Sequence, residues 1–323
     1  MKLETKKALA QAINIIEGRE IAYGYQRLSL FSSENINGML RRNSWANKHV
    51  LLADASEDHV FNMLVAGVDD IDIYDTNPLK KFMFYFKAAA FRTLTREELI
   101  KFLFKPRFGF KQRFDEKTFE KILGNIQDED AKELWTSLFK MYGGSLYSSN
   151  LFFRLSNPAK NYIACNSYLK DDKSYALLQK RLETFKYKCS NQDILKKTST
   201  LPRKKYDYIY LSTRLERIKC KTKEQSAKRI KAILNRLKNH LNEDGVLGFY
   251  LFYFEDSSLN FADNGYGDIT DILFRLTHLK DVIAEYIPFA GIVDLAVRNP
   301  DNRDAVAIVP KNPNRIVKSK SKE

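Results

Sequence analysis

A chain of 323 residues with 44% hydrophobic side chains can enclose a sizeable core in one large domain, or in one domain carrying an inserted lobe. Its net charge of +14 favours acidic partners, namely nucleic acid, an anionic membrane surface or a phosphorylated substrate, and fits equally a basic solvated surface. No run reaches the ~18 apolar residues of a membrane span, and residues 8–16, broken by Gln11 and Asn14, make a poor signal peptide, so a cytoplasmic protein without a transmembrane segment is expected.

Residues 1–24 have helical spacing (Leu9, Ile13, Ile16), with a second helical segment expected over 23–30. Ser32-Ser33-Glu34-Asn35 then reads as a helix start ahead of Ile36, Met39 and Leu40. This N-terminal part packs on the main domain, and could close over a ligand.

Residues 50–91 organise the chain. The apolar run 50–53 is a strand, 60–66 a helix, and Ile71-Asp72-Ile73-Tyr74 an alternating second strand that Asp75-Thr76-Asn77-Pro78 breaks. This is a βαβ unit with an acid closing its second strand, where nucleotide-binding α/β folds place a ribose contact. Its first turn, Ala55-Ser56-Glu57-Asp58, has no glycine.

The stretch 79–92 carries too many aromatics for a helix with one wet side and is expected between the sheet and another layer. Helices over 96–104, 118–126, 131–142 and 168–182 come next, with nothing strand-like among them. Residues 93–180 therefore read as a helical insertion.

The sheet resumes with strands at 184–189, 206–211 and 246–254. A basic amphipathic helix over 225–241 precedes the last of these and stops at Asn242-Glu243-Asp244-Gly245. A helix over 268–279 and strands at 282–286, 292–297 and 305–309 complete the chain.

The alternation predicts an α/β protein with a mostly parallel central sheet, N-terminal helices and a helical insertion after the second strand, its ligand at the carboxyl ends of the strands. Residues 1–48 form the N-terminal segment, 49–310 the main domain and 311–323 a basic disordered tail.

Cys165, Cys189 and Cys220 are odd in number and far from histidines, which argues for plain thiols and against a disulfide framework or zinc site. His49, His59, His240 and His278 are scattered, so no metal site is expected.

The segments ADASEDH, YDTNPLKKFMFYFKAAAFRTLTREELIKFL and YDYIYLST resemble the methyltransferase-like family that includes the S-adenosylmethionine-dependent aminocarboxypropyltransferase of betaine-lipid synthesis and uncharacterised bacterial relatives. The resemblance spans roughly residues 30–255. It implies the Rossmann-like S-adenosylmethionine-dependent methyltransferase fold and S-adenosylmethionine as cofactor. It further implies that Asp75 bonds the ribose, that Asn77 shapes the adjoining turn, and that Asp193 meets the adenine amino group. Ala55, Ser56, Glu57, Asp58 and His59 would wrap the methionine part, while Ser212 and Thr213 end the strand where transfer takes place.

Asp58, His59 and Ser212 are the candidates for moving a proton. A sulfonium leaving group needs positioning more than acid–base machinery, which accounts for the absence of a triad or metal cluster. Asp75 equally suits a local Asx turn, Asp193 a surface loop, and Glu57 and Asp58 a helix N-terminus. Tyr142, Tyr147 and Arg154 could cover an acceptor.

The expected function is transfer of a methyl or 3-amino-3-carboxypropyl group to an unidentified acceptor, a small molecule or lipid headgroup. The alternative is a catalytically degenerate protein of the same fold that binds or regulates through its basic surface. A nucleic-acid acceptor agrees with the charge, although no dedicated nucleic-acid module is visible.

Overall fold

The computed structural model describes residues 1–19, 27–32, 34, 36–40, 44–104, 112–153, 159–196, 201, 204–212, 215, 218, 222–251, 283–287 and 304–311. In chain order the elements are α1 (Leu3–Ile16), β1 (Leu28–Ser29), α2 (Ile36–Leu40), β2 (His49–Ala53), α3 (Glu57–Val65), β3 (Asp70–Tyr74) and α4 (Leu79–Thr93). Then come α5 (Arg96–Leu103), α6 (Glu116–Gly124), α7 (Glu129–Tyr142), β4 (Phe152–Phe153), α8 (Ala159–Cys165), α9 (Asp172–Thr184) and β5 (Cys189–Ser190). The remainder is β6 (Tyr206–Tyr210), α10 (Lys223–Lys238), β7 (Leu241–Leu251), β8 (Ile283–Ile287) and β9 (Asp304–Pro310).

The main sheet has the order β5-β3-β2-β6-β7-β9-β8. Its first five strands are parallel, and β9 runs antiparallel to both β7 and β8. Numbered by their own sequence, the seven strands lie as 3-2-1-4-5-7-6. The chain builds outward from β2 through β3 to β5, then returns to β6 on the other side. The gap between β2 and β6 is therefore the topological switch point, and ligands of open α/β sheets bind at the carboxyl ends beside it.

Alternate residues of each strand feed two cores. Val50, Leu52, Ile71 and Ile73 belong to the core shared with α3, α4, α7 and α9, whereas Leu51, Ala53, Ile209 and Leu247 belong to the one shared with Ile230, Ile233, Leu234 and Leu237 of α10. The helical side is unusually aromatic. In α4, Phe82, Phe84, Phe86 and Phe91 are buried, and the indole of buried Trp135 in α7 donates to the Phe82 carbonyl at 2.9 Å. Each such ring, fully buried, contributes about 2–3 kcal/mol. The aromatic stretch of α4 is thus buried, as its composition predicts.

The helical insertion lies between β3 and β5. Caps start its helices: Thr95 accepts from Glu98 N–H, Asp115 from Thr118, Asp128 from Ala131 and Asp171 from Ser174. It also holds a strand that its sequence does not announce, since β4 pairs in parallel with β1. Leu28 and Ser29 are accordingly extended, not helical as their spacing predicts. With two residues in each, these strands carry no readable alternation.

Two further expectations are corrected. Helix α9 continues to Thr184, so the third strand of the sheet is only Cys189–Ser190 and not 184–189. Asn242-Glu243-Asp244-Gly245 does not stop a helix but lies inside β7, where the register against β6 shifts between Tyr206 and Tyr208. Gly245 permits that irregularity, because a Cβ there would sit 2.7 Å from the Tyr206 carbonyl oxygen. The strands at 283–287 and 304–310 match the expected ones within one residue. Lys311, the first residue of the expected tail, is held by the Leu241 carbonyl at 3.1 Å and Glu243 at 2.6 Å. The helix expected over 268–279, the strand over 292–297 and the rest of the tail lie outside the described residues. Among the described residues no helix is long and apolar enough to cross a membrane.

Candidate functional site

At the carboxyl end of β2 the chain turns through Asp54, whose φ of 53° lies in the left-handed region. That conformation costs a non-glycine residue about 1–2 kcal/mol, least for Asp and Asn. The glycine-like position of the first turn is therefore Asp54, one residue before the stretch in which the sequence lacks glycine. Ser212, after β6, is a second left-handed residue with φ 47°. The two constrained residues flank the switch point.

Asp75 follows β3 and is buried. One carboxylate oxygen accepts the Asn77 N–H at 2.7 Å, and Asn77 in turn accepts from Leu79 N–H at 3.0 Å, which starts α4. The other oxygen is 2.6 Å from Lys80 Nζ. Lys80 also donates to the carbonyls of Asp54 and Ala55, each at 3.2 Å, so one ammonium ties the first turn to the acid of the second strand. Burial works against the charge of Lys80, but Asp75, Glu57 and Asp54 more than offset this and hold its pKa above the ordinary lysine value.

Glu57, the first residue of α3, is only 3% exposed, and its Oε1 has no hydrogen-bond partner among the described residues. Burial pushes its carboxyl up to about 7 against the pull of Lys87 and Lys80. Glu57 and Asp75 both act electrostatically on Lys80, Tyr187 and Cys189, so the two carboxyls share one locale at the strand ends. Burial, then Asp75, pushes the Cys189 thiol up to about 12, which makes it an inert thiol. Cys165 is a buried thiol, and Cys220 lies outside the described residues.

Asp58 and His59 turn the other way. Asp58 is fully buried and binds Lys87 Nζ at 2.5 Å, the Tyr168 hydroxyl at 2.7 Å and the backbone N–H of Ser32. Lys87 lies over the rings of Phe31 and Phe61 as well. His59 joins Ser56 to Glu34, with its Nε2 3.0 Å from Glu34 Oε2 and its Nδ1 accepting the Ser56 N–H at 3.2 Å. Glu34 further accepts the hydroxyls of Tyr210 and Ser212. Burial alone would raise the Glu34 carboxyl, yet His59, Ser212 and Tyr210 together hold it below the ordinary value. Residues 32 and 34 are thus fastened across the ends of β2 and β6 by two buried carboxylates.

Of the residues the sequence singles out, the structure brings Ala55, Ser56, Glu57, Asp75 and Asn77 to one end of the sheet. Asp193 lies in the loop after β5, where its side chain accepts from Leu195 N–H at 3.0 Å. That loop adjoins the site, because Asp75 N–H donates to the Ser190 carbonyl at 3.1 Å. Ser212 is at the end of β6 but gives its hydroxyl proton to Glu34. Asp58 and His59 face the helical layer and the N-terminal segment. Tyr142 donates to Glu17 at the end of α1, and Tyr147 donates to the Leu103 carbonyl within the helical lobe. Thr213 and Arg154 lie outside the described residues.

Glu34, Lys80, Lys87, Tyr168 and Tyr210 are the members that sequence reasoning misses. Only Lys87 left a signal, as the one cation in the buried run FYFKAAAF.

A scan against protein-family models finds no match, and no curated protein matches the chain. Among solved structures the chain is similar to an rRNA methyltransferase of Streptomyces viridochromogenes, at 14% identity and a TM-score of 0.35, covering 94% of this chain and 96% of that one. It is also similar to a Listeria monocytogenes protein assigned to the class I S-adenosylmethionine-dependent methyltransferases, at 12% identity and a TM-score of 0.23, covering 94% and 88%. The strand order, the switch point and the insertion after the second strand carry the fold assignment without them. The fold is Rossmann-like, an open and mostly parallel α/β sheet with one antiparallel edge.

Proposed function

We propose that this chain is an S-adenosylmethionine-dependent transferase that moves a methyl or 3-amino-3-carboxypropyl group to a small molecule or lipid headgroup. The observation that carries the proposal is the pair of buried carboxyls, Glu57 and Asp75, at the carboxyl ends of β2 and β3, with one Glu57 oxygen unpartnered among the described residues. An unpartnered buried oxygen suits a ligand that brings its own donor. The cofactor fits this donor set: Asp75 would take the ribose hydroxyls, Glu57 the α-ammonium, and Lys80 the α-carboxylate.

When bound, S-adenosylmethionine supplies an electrophilic carbon on a positively charged sulfur. The chain's own part is to bind and orient. Glu34 fixes the Ser212 hydroxyl at the end of β6, and that oxygen keeps a lone pair to receive the hydrogen of an acceptor N–H or O–H. Positioning of this kind is sufficient for an in-line displacement.

A second reading, a degenerate protein of this fold that binds without catalysing transfer, is favoured by Lys80, which already bonds the groups a cofactor would use. Calorimetric titration with S-adenosylmethionine and S-adenosylhomocysteine separates the two. Absence of heat and of any thermal shift at millimolar ligand leaves the second reading. If ligand binds, the nucleoside left after reaction with cell extract identifies the group moved. S-adenosylhomocysteine marks methyl transfer and 5′-methylthioadenosine marks aminocarboxypropyl transfer.

A further inference from the structure

At the opposite, amino-terminal end of the same strands lies a second cluster, outside the site above. His49 opens β2 and pairs in register with Asp70, which opens β3, and Asp72 lies two residues further on the same face. His49 Nε2 is 3.3 Å from Asp70 Oδ2 and 3.5 Å from Asp72 Oδ2. The three ligating atoms lie within 4.8 Å of one another.

Two observations distinguish this cluster from acidic residues at a strand end. The first is the state of His49. Its Nδ1 is 2.8 Å from the Lys205 carbonyl, an acceptor, so Nδ1 carries the proton. Its Nε2 is buried and has no hydrogen-bond partner among the described residues. An imidazole held by Nδ1–H to a backbone carbonyl, with a bare Nε2 facing carboxylates, is the arrangement of a metal-ligating histidine and its supporting contact.

The second is the spacing. Ligands about 2.0–2.2 Å from a tetrahedral ion stand about 3.4 Å apart, which matches the two His49 separations. Around these ligands, the Tyr206 hydroxyl donates to Asp72 at 2.8 Å and its ring lies 4.4 Å from the His49 ring, fixing both.

We propose that His49, Asp70 and Asp72 form a structural site for a divalent transition metal of the zinc class, with water completing the coordination. One imidazole nitrogen and two carboxylate oxygens suit zinc, cobalt or manganese better than calcium, which prefers six or more oxygens. Lys204, with its Nζ 2.7 Å from Asp72 Oδ2 and 3.7 Å from Asp70 Oδ1, balances the carboxylates while no ion is bound. Its side chain is 36% exposed, so it can swing into solvent when a cation arrives. A bound ion would clip β2 to β3 at the end of the sheet remote from the cofactor site.

The test is titration of the metal-free full chain with cobalt(II) chloride, read by visible absorption, followed by displacement with zinc chloride. The expected result is one equivalent of cobalt with a ligand-field spectrum of low coordination number. H49A and D70N should each weaken binding at least tenfold, and K204A should strengthen it by removing the competing ammonium. Asp70 is half-exposed, so D70N retains the fold where a change at Asp72, which anchors Tyr206, could disturb it. No stoichiometric binding by either wild type or K204A overturns the proposal. So does binding that H49A leaves unchanged, since His49 would then merely share a proton with the carboxylates.

Discussion

Replacing Glu57 by glutamine removes a carboxyl that the fold keeps buried and, on one oxygen, unpartnered among the described residues. In the unfolded chain this group titrates near 4.5, and in the folded protein near 7. Between those values the native state holds a proton that the unfolded state has released. Stability therefore falls as pH rises through the window, by about 1.4 kcal/mol per unit. Over the whole window this is about 3 kcal/mol, and from pH 5.5 to pH 8 about 2 kcal/mol. Glutamine does not titrate, so Glu57→Gln should be more stable than wild type at pH 8 by about 2 kcal/mol more than at pH 5.5. Urea unfolding followed by the fluorescence of Trp45 and Trp135, both buried, measures the difference at each pH, and groups common to both proteins cancel. An identical difference at the two pH values, or a larger one at pH 5.5, would refute the assignment of a raised pKa to Glu57.

Three further outcomes are expected. Glu34→Ala should cost about 3–5 kcal/mol, because it strands His59, Tyr210 and Ser212 in the interior, and hydrogen exchange should accelerate over residues 28–34. The folded pKa of Glu34 lies below its ordinary 4.5, so its contribution is present above pH 4.5 and is lost as pH falls through the folded value; Glu34→Gln should flatten that acid limb in pH-dependent unfolding. Lys87→Met should cost about 3–5 kcal/mol by taking the cation away from the buried Asp58 carboxyl, whereas the double variant Asp58→Asn with Lys87→Met should recover part of the loss in a denaturation cycle.

The sequence carries the frame of this fold because β2, β3, β6 and α4 each hold a strong local pattern: an apolar run, strict alternation, a β-rich strand and an aromatic helix. Elements defined by pairing leave no such pattern. The two-residue strands β1, β4 and β5 exist through their partners, and β7 begins in residues whose composition signals a turn. The site divides along the same line. Asp75 is legible because it closes a readable strand. Glu34 and Tyr168 are not, because their partners lie far off in sequence, Glu34 meeting Ser212 across 178 residues and Tyr168 meeting Asp58 across 110. The His49 cluster is an intermediate case: its residues are scattered in the chain, and strand register alone brings them together.

Whether Asp75 anchors S-adenosylmethionine at the strand ends is decided by the affinity of wild type and Asp75→Asn for that cofactor, measured by calorimetry at pH 7.5. One site per chain is expected in wild type, with at least a tenfold loss in Asp75→Asn, about 1.4 kcal/mol or more, and the variant still folded. No binding by wild type at millimolar ligand, or equal affinity in both proteins, would contradict the proposed transferase.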